Sequence, residues 1–205
     1  MADEVDESLY GDRLPLLRPE IVLSCGDLPF EYLEHLVNRL EVPLYYVPGN
    51  HDPNLKAADP RWSPLSADSP ATGPAGCQNI DARVVESNQL LIAGLGGSIR
   101  YRRGPNQYSQ GEMRRRALAL EVRIRLKRRP GRRLDIFVTH APPFGVAAAE
   151  DAAHTGFVAF VRLIQDVQPA LAVHGHIHPY GRSQPDRSIG ATRVVNAVPS
   201  KLIEV

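Results

Sequence analysis

Three histidines stand at alternate positions in the stretch AVHGHIHPYG, residues 172–181: His174, His176 and His178. Imidazole titrates near neutrality and is a common metal ligand, so such a cluster points to metal binding, proton transfer or a pH switch. One histidine at a strand end is usually only a solvated polar residue. Three acquire meaning if the rest of the chain supplies partners, and three other blocks do. Gly26-Asp27, Gly49-Asn50-His51-Asp52 and His140 each follow an apolar, β-prone run directly, as the histidines follow ALAV. In α/β folds the carboxyl ends of strands form the ligand crevice, so residues far apart in the chain converge there. A carboxylate, a side-chain amide and several imidazoles make a mixed oxygen and nitrogen set that suits Mn, Fe, Zn, Co or Ni better than Ca or Mg.

The elements that must position these residues can be read from periodicity. The run 20–27 is a short strand, followed by a helical pattern over 30–40 whose stripe is Leu33, Leu36, Val37 and Leu40. PLYYV then gives a second strand, completing a β-α-β unit. Residues 53–76, rich in Pro, Ala, Ser and Asp, carry no period and read as a surface loop or lid. Short strands are expected near 82–85 and 90–93, before the glycine-rich GLGGS. Its Gly94, Gly96 and Gly97 read as a tight turn rather than a nucleotide cradle, since no phosphate-loop lysine follows. SQGE at 109–112 has the form of a capping box and opens a helix to about 129, with Met113, Ala117, Leu120 and Ile124 on one face. A strand over 134–139, a helix over 156–167, a strand over 170–173 and closing strands TRVVNAV and KLIEV complete the chain.

Composition limits the functional classes. With 205 residues, 43% hydrophobic and 23% charged, the chain can bury a real core as one domain spanning 1–205. No run approaches the ~18 apolar residues of a membrane span, and MADEVDE is unlike a secretory signal, so no membrane partner and a cytoplasmic location are expected. Cys25 and Cys77 are too few and too isolated for a disulfide framework. A net charge of +1 gives no global pull toward nucleic acid. The arginines of 114–116 and 123–133 read as a solvated helix face, which makes a nucleic-acid partner disfavoured.

The ordered series G-D, G-N-H-D, H and G-H-x-H resembles that of the calcineurin-like metallophosphoesterases, whose pattern is D-x-H, GD, GNH with a following acid, H, and GHxH. GDLPFEYL, CQNIDARVV and GLGGSIRYRRGPNQYS look like a small prokaryotic branch of that superfamily. The resemblance implies a four-layer α/β sandwich, with two mixed β-sheets flanked by helices, and a metal-dependent phosphoesterase with two divalent metal ions. It implies that Asp27 bridges the two metals, that Asn50, His140 and His176 hold the second, and that His178 serves the first. His51 takes the family role of general acid toward the leaving alkoxide, with Glu31 or Asp52 as candidates to orient it; His174 has no ligand role in the pattern and reads equally as support for a ligand or as a solvated strand-end histidine. Arg100 and Tyr101, just after the GLGGS turn, are candidate contacts for the substrate phosphate.

The first block departs from the pattern. No D-x-H precedes Gly26. MADEVDESLY looks like the end of that block with its strand cut away, so Asp3 is the expected carboxylate of the first metal, ahead of Asp6. Val5 stands where the resemblance expects a histidine. The competing reading is a metal-binding or regulatory module weakened by that loss. A small phosphoester, monoester or diester, is the expected substrate.

Overall fold

The structure, a computed structural model, describes residues 1–54, 73–129, 131–146, 153–180 and 185–205. In chain order the elements are α1 (Arg13–Leu17), β1 (Val22–Ser24), α2 (Phe30–Leu40), β2 (Leu44–Tyr46), β3 (Cys77–Asn79), β4 (Val84–Ser87), β5 (Leu90–Leu95), β6 (Ser98–Ile99), β7 (Gln107–Tyr108), α3 (Gln110–Lys127), β8 (Ile136–Thr139), α4 (Val158–Val167), β9 (Leu171–His174), β10 (Arg187–Ile189) and β11 (Thr192–Asn196). A sheet of order β1-β2-β3 is parallel throughout; the larger sheet, β10-β11-β9-β8-β5-β4, is mixed, with antiparallel pairs at both ends.

Period-two alternation explains the layering. In β8, Ile136 and Val138 point into one cluster and Phe137 into another; in β9, Leu171 and Val173 oppose Ala172 in the same way. One face of the large sheet therefore meets α3 and α4 through Phe137, Leu120, Ile124, Phe160 and Ile164. The other face meets Tyr45, Val47, Cys25 and Ile80 from the small sheet. The small sheet's far face, through Leu44 and Tyr46, packs on Tyr32, Leu33 and Leu36 of α2. The order helix, sheet, sheet, helix follows from three apolar clusters, and each fully buried large side chain contributes about 1.5–3 kcal/mol.

Local signals set the boundaries. The capping box at α3 is real: Ser109 accepts from the Glu112 N–H at 3.2 Å while Glu112 accepts from the Ser109 N–H at 2.7 Å. β2 runs into Pro48 and Gly49, which release the chain at the sheet edge. KLIEV, expected as a closing strand, forms none; Leu202 and Val205 are exposed and only Ile203 leans on the inter-sheet core. An apolar run becomes a strand only where a neighbouring backbone can pair with it. β3, β10 and the short β6–β7 pair lie in stretches too polar to have signalled strands. Of the expected lid over 53–76, residues 55–72 lie outside the described residues.

The chain start is ordered against β1. Cys25 N–H donates to the Met1 carbonyl at 2.8 Å, the Met1 ammonium donates to Leu23 O at 3.0 Å, and Asp3 N–H donates to Gly26 O at 3.1 Å. Ala2, fully buried, donates on its other side to Pro199 O. These bonds carry Asp3 to the same edge as Asp27.

Candidate metal centre

Asp3, Asp27, His140 and His176 each offer a ligand atom within 4.8 Å of the others. Their positions follow from the strands: Asp27 lies beyond β1, His140 ends β8 and His176 lies beyond β9, all at carboxyl ends brought together by the sheet-on-sheet packing. Three of the four, Asp3, Asp27 and His176, have left-handed backbones with φ of 61°, 56° and 66°. Non-glycine residues hold that conformation at a cost of about 1–3 kcal/mol only where their surroundings over-determine it, a pattern concentrated at functional sites. Gly49 and Gly175 are required by close approach: a Cβ on Gly49 would overlap the Asp27 carboxylate, and one on Gly175 would meet Asp3 Oδ2 and Ala2.

The hydrogen bonds aim the ligand atoms. His140 Nδ1 lies 2.7 Å from Cys25 O, a carbonyl that can only accept, so Nδ1 carries a proton. The other nitrogen, Nε2, then faces Asn50 Oδ1 at 2.9 Å and Asp27 Oδ2 at 3.3 Å. Asp27 Oδ1 accepts from the backbone N–H groups of His51 and Asp52 at 2.8 and 3.2 Å, whereas buried Oδ2 has no aligned hydrogen bond at all. His176 Nε2 donates to Ala153 O at 3.3 Å, which leaves Nδ1 for the cluster. Ligating histidines are commonly oriented in this way through the ring nitrogen that does not bind.

The electrostatics agree. Burial raises the Asp3 carboxyl above its usual range. Burial opposes charge on His140, but the carboxylates of Asp27 and Asp3 outweigh it and raise the ring to about 9. Burial, with the charge of His140 and His154, pushes His176 down to about 3, and burial pushes His174 down to about 4. Two largely buried carboxylates, the His140 and His176 rings and an amide oxygen face one another, and Asp27 Oδ2, which makes no hydrogen bond and only the 3.3 Å contact with His140 Nε2, is an atom left to meet a bound cation. The donor set fits a divalent transition metal.

The remaining sequence-derived residues are placed as follows. Asn50 is buried beside His140, and its Nδ2 meets the Tyr101 hydroxyl at 3.4 Å. His51 is exposed, its ring outside the ligand cluster. His178 also lies outside the four clustered atoms, with Nδ1 2.7 Å from Glu4 Oε1. Asp52 does not meet the His51 ring; its Oδ2 accepts from Gly49 and Asp27 N–H at 2.8 and 3.0 Å and so ties the two loops together. Glu31 is exposed on the first turn of α2, with no hydrogen bond to His51 among the described residues. His174 is buried, with Nδ1 2.9 Å from Gly175 O. Tyr101 stands half-exposed at the rim with the Arg102 guanidinium 5.3 Å from its ring centre. Arg100 is turned to Glu112, at 2.8 and 2.9 Å, and to Gln107 O. Val5 packs against the cluster of Leu9, Leu14 and Tyr32.

Several site residues escaped sequence reasoning. Glu4 partners His178. His154 stacks on His176, with ring centres 4.8 Å apart and planes at 27°. Buried Asn106 donates to Gly49 O and Asp52 O at 2.9 and 3.2 Å, pinning the loop that carries Asn50 and His51. Arg116, expected on a solvated face, sets its Nη2 against both Asp81 oxygens at 2.5 and 2.6 Å, donates through Nη1 to Gly96 O, and lies 4.1 Å from the Tyr108 ring centre. Asp81 in turn accepts from Gly96 N–H, while Gly97 N–H donates to Pro48 O, so the glycine turn rests against the Asn50 loop. None of these contacts has a local sequence signal; the nearest was the glycine-rich turn itself.

Layers, topology and a carboxylate–imidazole cluster at the strand ends define an α/β sandwich with a candidate metal centre. The family model of the calcineurin-like phosphoesterases matches residues 7–180, and the chain belongs to that family. The family's general chemistry is metal-dependent phosphoester hydrolysis. Among solved structures, one crystal structure superimposes with a TM-score of 0.63 at 18% identity, over 94% of this chain and 86% of its own. The crystal structure of TT1561 from Thermus thermophilus superimposes with a TM-score of 0.57 at 22% identity, over 90% of this chain and 79% of its own. Both establish likeness of fold alone. No curated protein matches the chain. Among the described residues no helix is long and apolar enough to cross a membrane.

Proposed function

We propose that this chain hydrolyses a small phosphomonoester or phosphodiester at a centre holding two divalent ions drawn from Mn, Fe, Zn, Co or Ni, with His51 as general acid. The observation that carries the reading is the buried Asp27 Oδ2, which makes no hydrogen bond, clustered with ligand atoms of His140, Asp3 and His176. When bound, such ions neutralise the phosphoryl oxygens and lower the pKa of a water nucleophile. Asp27 is the bridging residue, since the His51 and Asp52 amides fix one of its oxygens and the other is left for ligation. Asn50, His140 and His176 hold the second ion. Asp3 and His178 hold the first, His178 through Nε2, because Glu4 occupies Nδ1. His51, attached to that carboxylate only by its backbone, keeps an exposed imidazole free to protonate the departing alkoxide. Tyr101 touches Asn50 and stands at the rim to contact the substrate. Arg100 could join it only by leaving Glu112.

A second reading, a metal-binding module with weakened turnover, draws on Val5: its side chain is in the apolar cluster, so the first ion lacks the histidine of the family pattern. Elemental analysis with p-nitrophenyl phosphate and bis(p-nitrophenyl) phosphate assays separates the two. Turnover with nearly two ions per chain supports the hydrolase, while one ion without turnover supports the module. Asp27→Asn should remove metal and activity together; metal retained at full stoichiometry would remove Asp27 from the bridge.

A further inference from the structure

Helix α3 carries two apolar faces, and the packed core uses only one. Met113, Ala117, Leu120 and Ile124 are buried against the large sheet and α4. Leu118, Val122 and Leu126 are 52, 55 and 82% exposed. At about 100° per residue these three fall on the side opposite the buried stripe, in a single i, i+4, i+8 ridge about 12 Å long. Leu126 at that exposure is not a partly covered core residue, and three aliphatic side chains aligned this way form a patch rather than scattered exceptions.

The same side is positively charged. Arg114, Arg115 and Arg125 alternate with the ridge along α3, and Arg128 and Arg129 follow at its end. Glu121 is the one acid in these turns, and Arg125 pairs with it at 2.6 Å. Among the described residues Arg114, Arg115, Arg128 and Arg129 lie in no ion pair. The contrast with the helix's other cations is physical: Arg116 is committed to Asp81, while Arg123 and Lys127 reach Ala82 O and Val84 O and cover the free edge of β4. The cations that tie α3 to the rest of the fold thus lie on the inner flanks, whereas along the outer ridge Arg125 pairs only within the helix and Arg114, Arg115, Arg128 and Arg129 lie in no ion pair among the described residues.

We infer that the outer face of α3 docks a partner protein through an acidic amphipathic helix, whose apolar row packs along Leu118, Val122 and Leu126 while its carboxylates pair with the flanking arginines. Charge decides among the occupants. A second copy laid antiparallel would set Arg114 and Arg115 against Arg125 and Arg129, and a parallel copy would set each arginine against itself, so self-association is opposed. An anionic lipid surface would satisfy the charges. However, a ridge one residue wide, without Trp or Phe, offers little to insert and matches the groove of a helix. Arginine forks also suit carboxylates, which they engage two bonds at a time.

The test uses a fluorescein-labelled 18-residue peptide with leucines at positions 4, 8, 11 and 15 flanked by glutamates, and a scrambled peptide of the same composition. Fluorescence anisotropy at low salt should show the patterned peptide binding at least about tenfold more tightly than the scrambled one. Leu118→Gln with Leu126→Gln should abolish that preference while thermal stability and metal content stay unchanged, because neither side chain contributes to the core or the centre. Arg114→Glu with Arg115→Glu, which leaves acids and arginines balanced along this face, should remove the advantage of the glutamate-flanked peptide over a lysine-flanked one. Equal binding of patterned and scrambled peptides would overturn the inference. So would concentration-dependent dimerisation lost in the leucine variants, which assigns the face to a second copy. Binding to phosphatidylserine-containing vesicles, lost in those variants while the peptide preference is absent, would overturn it in favour of a lipid surface.

Discussion

Metal binding should expel a proton from His140, and the pH window can be worked out from the site. Nδ1 of that ring is held to Cys25 O, so it keeps its proton in either state, and the group that titrates is Nε2, the atom facing Asp27 and Asn50. Without metal the neighbouring carboxylates hold the ring at about 9. At pH 7 it is therefore almost wholly imidazolium, and Nε2 cannot ligate until that proton leaves. Between pH 7 and about 9 the affinity for Mn²⁺ should rise about tenfold per pH unit, with close to one proton released per ion at His140, and the slope should flatten above 9. Calorimetric titration in buffers of different ionisation enthalpy reads the proton count directly. Release of less than about a third of a proton at pH 7, together with an affinity flat from 7 to 9, would refute the argument that Nε2 is both protonated in the free protein and a ligand in the loaded one. The metal-free protein carries a matching signature in stability. His140 is raised from 6.5 in the folded state, so its contribution is present below about 6.5 and lost as pH rises through about 9. His174 and His176 are depressed to about 4 and about 3, so theirs is present above about 6.5 and lost as pH falls below it. Urea denaturation should place maximal stability of the metal-free protein near pH 6.5, and metal should remove the alkaline decline.

Three further outcomes test the other parts. His51→Ala should keep its metal yet lose about 10²–10⁴ in turnover on alkyl phosphates and much less on p-nitrophenyl esters, whose leaving group needs little protonation; equal losses would count against the acid. Arg116→Met should cost about 3–5 kcal/mol in denaturation experiments, because it strands the Asp81 carboxylate in a partly buried pocket; a loss below about 1 kcal/mol would show the pair to be solvated. Val5→His should leave metal stoichiometry unchanged and lower stability, since its side chain is directed into the apolar cluster; a rise in bound metal would show that the turn after Asp3 can rearrange.

The sequence by itself determined the elements that carry their own periodicity, and with them most of the candidate ligands. The α2 stripe, the capping box of α3 and the continuous apolar runs of β8 and β9 are local facts, because an amphipathic helix records in its spacing which side faces a core and a short unbroken apolar run records a strand covered on both faces. The G-D, G-N-H-D, H and G-H-x-H blocks were legible for a related reason: strand ends expose short polar turns, and few residue types bind metal. Tertiary structure alone decided how the surplus was used. Whether KLIEV becomes a strand depended on a neighbouring backbone, and it found none to pair with. Asp3 reached the centre through hydrogen bonds from Met1 and Ala2 to β1 and Pro199, with no pattern in MADEVDE to announce them. Arg116 and Arg114 look alike in sequence, yet one is bound to Asp81 and the other faces solvent, since a helix rotates them to different sides and only the packed sheet says which side is in. Glu4, His154, Asn106 and Asp81 were silent for the same reason: a polar side chain's role is set by what folds against it, and that information resides in contacts between distant parts of the chain rather than in spacing along it.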